Sequence, residues 1–91
     1  MFYTYILYSL LHDRFYIGQT NNLDHRIQRH NNGQVLSTKP YRPWKIVYSK
    51  EFNTRADAMR EEKKLKSFKN RKFLEQYCGL ISERLLAPKR I

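Results

Sequence analysis

Hydrophobic and polar positions alternate from the start of the chain. In FYTYILYS, Phe2, Thr4, Ile6 and Tyr8 fall on one side of an extended backbone, and Tyr3, Tyr5 and Leu7 on the other. Both sets are rich in aromatic and branched residues, which marks a strand. LLHD makes a short turn and RFYIGQT reads as a second strand, so the two runs pair most simply as an antiparallel hairpin. The period then changes. Asn21 or Asn22 supplies a cap, and Leu23 and Ile27 lie four apart on a helical stripe that ends near Asn31, Asn32 and Gly33. GQVLSTKPYRP, punctuated by Gly33, Pro40 and Pro43, predicts a surface loop rather than a packed element. Alternation returns in WKIVYSKEF, with Trp44, Ile46 and Tyr48 on one face and Lys45, Val47 and Ser49 on the other, as in a half-buried third strand. Thr54 and Asp57 resemble a capping box that opens a second helix reaching about Ser67. FKNRKFLEQY predicts a third helix, and LISERLLAPKRI a basic amphipathic tail. The order is β-β-α-β-α-α: an α+β domain over residues 1–80, followed by a tail at 81–91.

Composition narrows the function classes. A chain of 91 residues builds one modest core, and its 41% hydrophobic and 29% charged content is that of a folded domain. Eighteen Lys and Arg against eight Asp and Glu give a net charge of +10, a field that attracts polyanions, so nucleic acid is the expected partner. A single cysteine, Cys78, excludes an internal disulfide and a thiolate zinc site. No apolar run approaches the roughly 20 residues of a membrane span, and FYTYILYS does not read as a secretory leader; an intracellular, cytoplasmic protein is expected.

One carboxylate is out of place. At about 100° per residue, Ala58, Met59 and Leu65 form the apolar stripe of the second helix, with Glu62 in its middle and Glu61 toward its edge. A carboxylate among apolar groups needs a cation, hydrogen bonds or a proton; equally, Glu62 pairs with Lys66 at i+4 if that surface is wet. Tyr5 and Tyr16 suit an amphipathic core edge, and Gly18 suits either a β-bulge or a close approach of substrate backbone. Arg29, Lys39, Arg42, Lys45, Lys66 and their basic neighbours supply phosphate contacts. The predicted helices offer no obvious base-reading set, so little sequence specificity is expected, and the domain would recognise nucleic-acid structure or borrow the specificity of a protein partner.

The ordered set of motifs resembles the GIY-YIG nuclease family, in particular compact members similar to the amino-terminal domain of the excinuclease. YTYIL stands at the first motif, and YIG at 16–18 matches the second letter for letter. Tyr16 follows Tyr5 by eleven positions, Arg26 follows Tyr16 by ten, and His30 comes four later. ADAMREEKKLK resembles the helix that carries the family's glutamate, with Ala58, Glu62 and Lys66 in step. Tyr3 and Thr4 stand in place of Gly-Ile, so a frame with Tyr3 as the first-motif tyrosine stays open beside the Tyr5 frame that the spacing favours.

The resemblance implies a three-stranded antiparallel sheet flanked by helices, and metal-dependent endonuclease chemistry on DNA. It implies that Glu62 holds one Mg²⁺ or Mn²⁺ and that Arg26 takes the non-bridging phosphate oxygens. Tyr5 and Tyr16 would converge on the attacking water, one of them as base with its pKa depressed by the metal, Arg26 and the basic field, and His30 would be an alternative or auxiliary base. A DNA- or RNA-binding module on the same fold, without turnover, is the rival expectation.

Overall fold

The computed structural model describes residues 1–67. Three antiparallel strands, β1 (Phe2–Ser9), β2 (Arg14–Thr20) and β3 (Lys45–Phe52), form one sheet in the order β2-β1-β3. Helix α1 (Leu23–Asn31) follows β2, and α2 (Arg55–Lys66) follows β3. This is the expected α+β arrangement with an antiparallel sheet and two helices. The third helix expected at FKNRKFLEQY, and the tail, lie outside the described residues.

β1 is the central strand and is buried over Thr4–Ser9, which explains why both of its faces are apolar or hydroxylic. On one face Tyr5 and Leu7 pack with Trp44 and with the partly buried Tyr16, Leu23, Ile27, Tyr41 and Ile46. α2 contacts the sheet through the other face, where the Thr4 hydroxyl donates to the carbonyl of Ala58 at 2.6 Å. Both helix starts are as the sequence predicts: Asn22 Oδ1 accepts from the amide of His25, and Thr54 Oγ1 from that of Asp57. α1 ends in a Schellman motif. The amide of Gln34 reaches the carbonyl of Arg29 at 2.9 Å and that of Gly33 reaches His30 at 3.2 Å, with Gly33 at φ +77°, a left-handed conformation that favours glycine.

Two expectations fail. Tyr48 does not share a face with Trp44 and Ile46: Ile6 pairs with Tyr48 but Leu7 with Ile46, so Val47 is an extra, bulged residue that reverses the alternation and turns Tyr48 toward α2. The segment from Gly33 to Pro43 is more than a surface loop, because it contains a 3₁₀ turn at Lys39–Tyr41 and buries Thr38. Its polar groups find partners inside the fold, which is what allows such a segment to pack.

Candidate active site

The strand register assembles the site. Tyr5 sits opposite Gly18 and Leu7 opposite Tyr16, so both tyrosines project from the α1 face of neighbouring strands. A Cβ on Gly18 would lie 2.6 Å from Tyr5 Oη and 3.1 Å from Tyr16 Cε2, inside contact distance of groups that have little room to move. Gly18 lies in unbroken pairing, not in a bulge, and the space above it is occupied by the Tyr5 phenol rather than left open for a substrate. His30 reaches in from the end of α1, wholly buried, and its Nε2 lies 3.1 Å from Tyr5 Oη while Nδ1 lies 2.8 Å from Thr38 Oγ1. The Tyr16 ring stands 4.9 Å from that of His30 and 6.3 Å from that of Tyr5. Tyr5 is buried and Tyr16 half-buried, so Tyr16 is the phenol that borders solvent.

Electrostatics ties two further residues to this cluster. Burial pushes the His30 imidazole down to about 4, helped by the charges of Arg26 and Arg29, so His30 is neutral at pH 7. Burial also pushes the Tyr5 phenol well above the ordinary tyrosine value. Tyr16 and Glu62 act in the same direction, and Arg26 opposes them. Arg26 and Glu62 therefore both act on Tyr5. The expectation of a depressed tyrosine pKa does not hold for Tyr5 in the protein alone, because loss of hydration outweighs the guanidinium.

The carboxylates of α2 exchange their expected places. Ala58, Glu61 and Leu65 face inward, and Met59 is 51% exposed. Glu61 is the buried acid, and Tyr48, turned inward by the bulge, donates to its Oε2 at 2.9 Å. Glu62 is half-buried at the rim and binds Lys66 Nζ at 2.8 Å, the i+4 pairing of a wet surface. Among the described residues no cluster of three or more His, Cys, Asp or Glu is placed to hold a metal ion. Glu62 would be a single hard oxygen ligand. That suits Mg²⁺ or Mn²⁺, which keep most of their waters, and the carboxylate already attracts the Lys66 ammonium.

The remaining expected residues are spread over the surface. Arg29 is half-buried and acts on His30 through its charge. Arg42 folds toward Gly33 and donates from Nε to the carbonyl of Lys39 at 2.9 Å. Lys39 and Lys45 are exposed, Lys45 beside Pro43 and Trp44, while Lys66 is tied to Glu62. Tyr3 donates to Glu51 at 3.2 Å and lines a separate cleft with Asn22 and Asp24, so the phenol that meets His30 is that of Tyr5.

Three residues that support the site carry no obvious mark in the sequence. Asn31 receives the amide of Trp44 at 2.6 Å and donates to its carbonyl at 3.1 Å. The Trp44 indole donates to the carbonyl of Thr38 at 2.9 Å, and Thr38 in turn meets His30. The one signal present is the run Thr38-Lys39-Pro40: a hydroxyl residue followed by proline is how short helices begin, and Thr38 is the N-cap of the 3₁₀ turn.

Comparison with known proteins agrees with the motif spacing. A family model described as the GIY-YIG catalytic domain matches residues 1–77. The chain is 39% identical over 69 residues to a UPF0213 protein of Staphylococcus saprophyticus, covering 75% of this chain and 79% of that one. It is 38% identical over 77 residues to a UPF0213 protein of Oceanobacillus iheyensis, covering 80% and 88%. The solution NMR structure of a UPF0213 protein from Bacillus halodurans superposes with a TM-score of 0.51 at 29% identity, covering 97% of this chain and 90% of that one.

Proposed function

Because this chain belongs to the GIY-YIG catalytic domain family, among relatives that are small UPF0213 proteins, we propose that it is a metal-dependent endonuclease that hydrolyses phosphodiester bonds of DNA. One observation carries the reading. Tyr5 of β1 meets His30 of α1 and lies in ring range of Tyr16 of β2, and it feels both Arg26 of α1 and Glu62 of α2. Tyr5, His30 and Tyr16 meet on one face of the sheet, and the charges of Arg26 and Glu62 reach Tyr5 there.

Their chemistry divides the work. Arg26 offers a planar fork of donors to the non-bridging phosphate oxygens, where negative charge grows as the nucleophile attacks. The Tyr5–His30 pair is the proton acceptor: Tyr5 Oη takes a proton from the attacking water as its own proton passes to His30 Nε2, so that the charge left on the pair is an imidazolium. A phenol with a neutral imidazole behind it does this without first becoming a free phenolate, which its raised pKa disfavours. Tyr16 walls the solvent side of the pair and orients the water. Glu62 is the residue that would hold a divalent cation, which supplies charge neutralisation at the phosphate and the leaving oxygen. Arg29, Lys39, Arg42 and Lys45 contribute affinity through phosphates, and Lys66 does so when released from Glu62. The absence of a base-reading helix among the described residues fits recognition of DNA structure, or specificity lent by a protein partner.

The test is nicking of supercoiled plasmid with Mg²⁺ or Mn²⁺. Arg26→Ala and Glu62→Ala should each lower the rate by about 10² to 10³, the scale of losing one transition-state contact. Glu62→Ala should change the melting temperature little, because its ion pair is partly exposed at the rim. Nicking at the wild-type rate by either variant would overturn the proposal. The ion pair at Glu62 also favours a second reading, a nucleic-acid-binding module whose acid is already neutralised by Lys66. That reading requires salt-sensitive binding, indifferent to Glu62→Ala, with no cleavage under either metal.

A further inference from the structure

The proton on His30 is placed by a residue that touches neither the phosphate nor the water. Thr38 Oγ1 lies 3.2 Å from the carbonyl oxygen of Val35 and 2.8 Å from His30 Nδ1. A carbonyl only accepts, so the Val35 contact is a hydrogen bond only when the single Thr38 hydrogen lies on that side, beside the amides of Thr38 at 3.2 Å and Lys39 at 3.0 Å, and the oxygen then presents a lone pair to the imidazole. Nδ1 must then carry a hydrogen to make its contact. In a neutral ring Nε2 is left bare, and the hydrogen bond at 3.1 Å must be donated by Tyr5 Oη. No other assignment of a neutral His30 turns all three contacts into hydrogen bonds.

We propose that Thr38 is a positioning residue that holds His30 as the Nδ1–H tautomer, so that a bare Nε2 faces Tyr5 and accepts the hydrogen bond of its hydroxyl. The geometry around Thr38 suits this task. Its carbonyl accepts from the Trp44 indole at 2.9 Å and from the amide of Tyr41 at 3.1 Å, its amide donates to Val35 at 3.2 Å, and Trp44 is itself clamped to Asn31 at the end of α1. His30 and Thr38 are thus tied to the same helix end, 1% exposed or less. Because Thr38 accepts rather than donates, its bond to Nδ1–H survives when Nε2 gains the proton and the ring becomes an imidazolium. A donor at this place would have to turn away in the same step.

The inference rests on the nuclease reading for its purpose but not for its test. Long-range ¹H–¹⁵N spectra of the imidazoles at pH 7 report the tautomer without any substrate. His30 in the wild type should show a protonated Nδ1 and a bare Nε2. Thr38→Ser should keep that pattern, and Thr38→Val, with no acceptor for Nδ1–H, should shift the ring toward the Nε2–H form. In the plasmid assay, Thr38→Val should lower kcat by about 10-fold or more with KM little changed, and Thr38→Ser should recover most of the loss. A wild-type His30 in the Nε2–H form overturns the proposal, and so does a folded Thr38→Val that keeps Nδ1–H. If Thr38→Val does not fold, the wild-type and Thr38→Ser spectra decide alone. Absence of nicking by every variant overturns the nuclease reading and leaves the tautomer result standing.

Discussion

The two faces of the sheet contribute to the site in opposite ways. On the α1 face, Tyr5, His30, Thr38, Trp44 and Asn31 form one hydrogen-bonded chain, with Tyr5, His30 and Thr38 nearly or wholly buried. On the α2 face the buried acid, Glu61, is tied to Tyr48, while the acid that acts on Tyr5 is its half-buried neighbour Glu62, in a partly exposed ion pair with Lys66. On the proposed mechanism the difference separates two tasks. A proton path works only if its atoms are fixed before the reaction, so it is built where packing and hydrogen bonds fix them. A ligand for a hydrated cation has to exchange partners, so it sits where water reaches it. The consequence is that substitutions on the α1 face should cost stability and activity together, whereas at Glu62 and Lys66 the two should come apart.

The largest stability effect should come from pH. His30 is held at about 4 in the folded protein, below the value of about 6.5 for an unfolded chain. Between those values the unfolded state binds more protons, so stability is full above about pH 6.5 and falls as pH drops toward 4, by on the order of 3 kcal/mol in total. Urea midpoints at pH 7, 5.5 and 4, set beside an NMR titration of His30, measure it. A His30 that protonates near pH 6.5 would mean that the α1 face is not the closed network described.

Gly18→Ala should follow. The added methyl meets the Tyr5 phenol, which is buried and hydrogen-bonded to His30, so the expected cost is about 1 to 3 kcal/mol of stability together with a loss of nicking. Thermal melts and the plasmid assay read both; a variant with unchanged stability and rate would show that Tyr5 is free to move. On the other face, Glu61→Ala should lower stability by about 1 to 3 kcal/mol, because it removes the acceptor of the Tyr48 hydrogen bond, and should leave the nicking rate within about threefold. Set against Glu62→Ala it divides adjacent glutamates into one that supports the fold and one that serves the chemistry. If Glu61→Ala loses the rate and keeps the stability, those assignments must be exchanged.

The elements were legible in the sequence because each obeys a local rule: alternation in β1 and β2, caps at Asn22 and Thr54, and a glycine at the end of α1. The meeting of Tyr5, Tyr16 and His30 was legible only through motif spacing, since nothing local distinguishes these residues from core-edge tyrosines and a helix-end histidine. The errors on the α2 face share one cause. Val47 is an additional residue in β3 that no period of two anticipates, and it sends Tyr48 to the face where a hydroxyl donor makes a buried Glu61 tolerable. Counting apolar positions placed Met59 inward and Glu62 in the stripe, because the partner that reverses the preference lies on another strand. Thr38 stayed hidden for a similar reason: its value lies in contacts to Val35, Trp44 and His30, which become visible only when the segment after α1 folds back.

The smallest effect is the most discriminating. Lys66 holds Glu62 at 2.8 Å with both side chains partly exposed, so Lys66→Ala should change stability by no more than about 0.5 kcal/mol. If Glu62 serves as the cation ligand, the ammonium competes for the same oxygen, and its removal should lower the Mg²⁺ concentration needed for half-maximal nicking by about twofold. If instead Lys66 acts mainly on phosphate, the variant should leave the metal requirement alone, weaken DNA binding, and reduce the slope of log K against log salt by about one. Metal titration and salt titration of the same variant therefore report two separable roles for one lysine. A lowered metal requirement with an unchanged salt slope identifies the rim of α2 as a cation site gated by its own ion pair. The reverse result moves Lys66 to the DNA surface and leaves Glu62 waiting for a metal with no competitor.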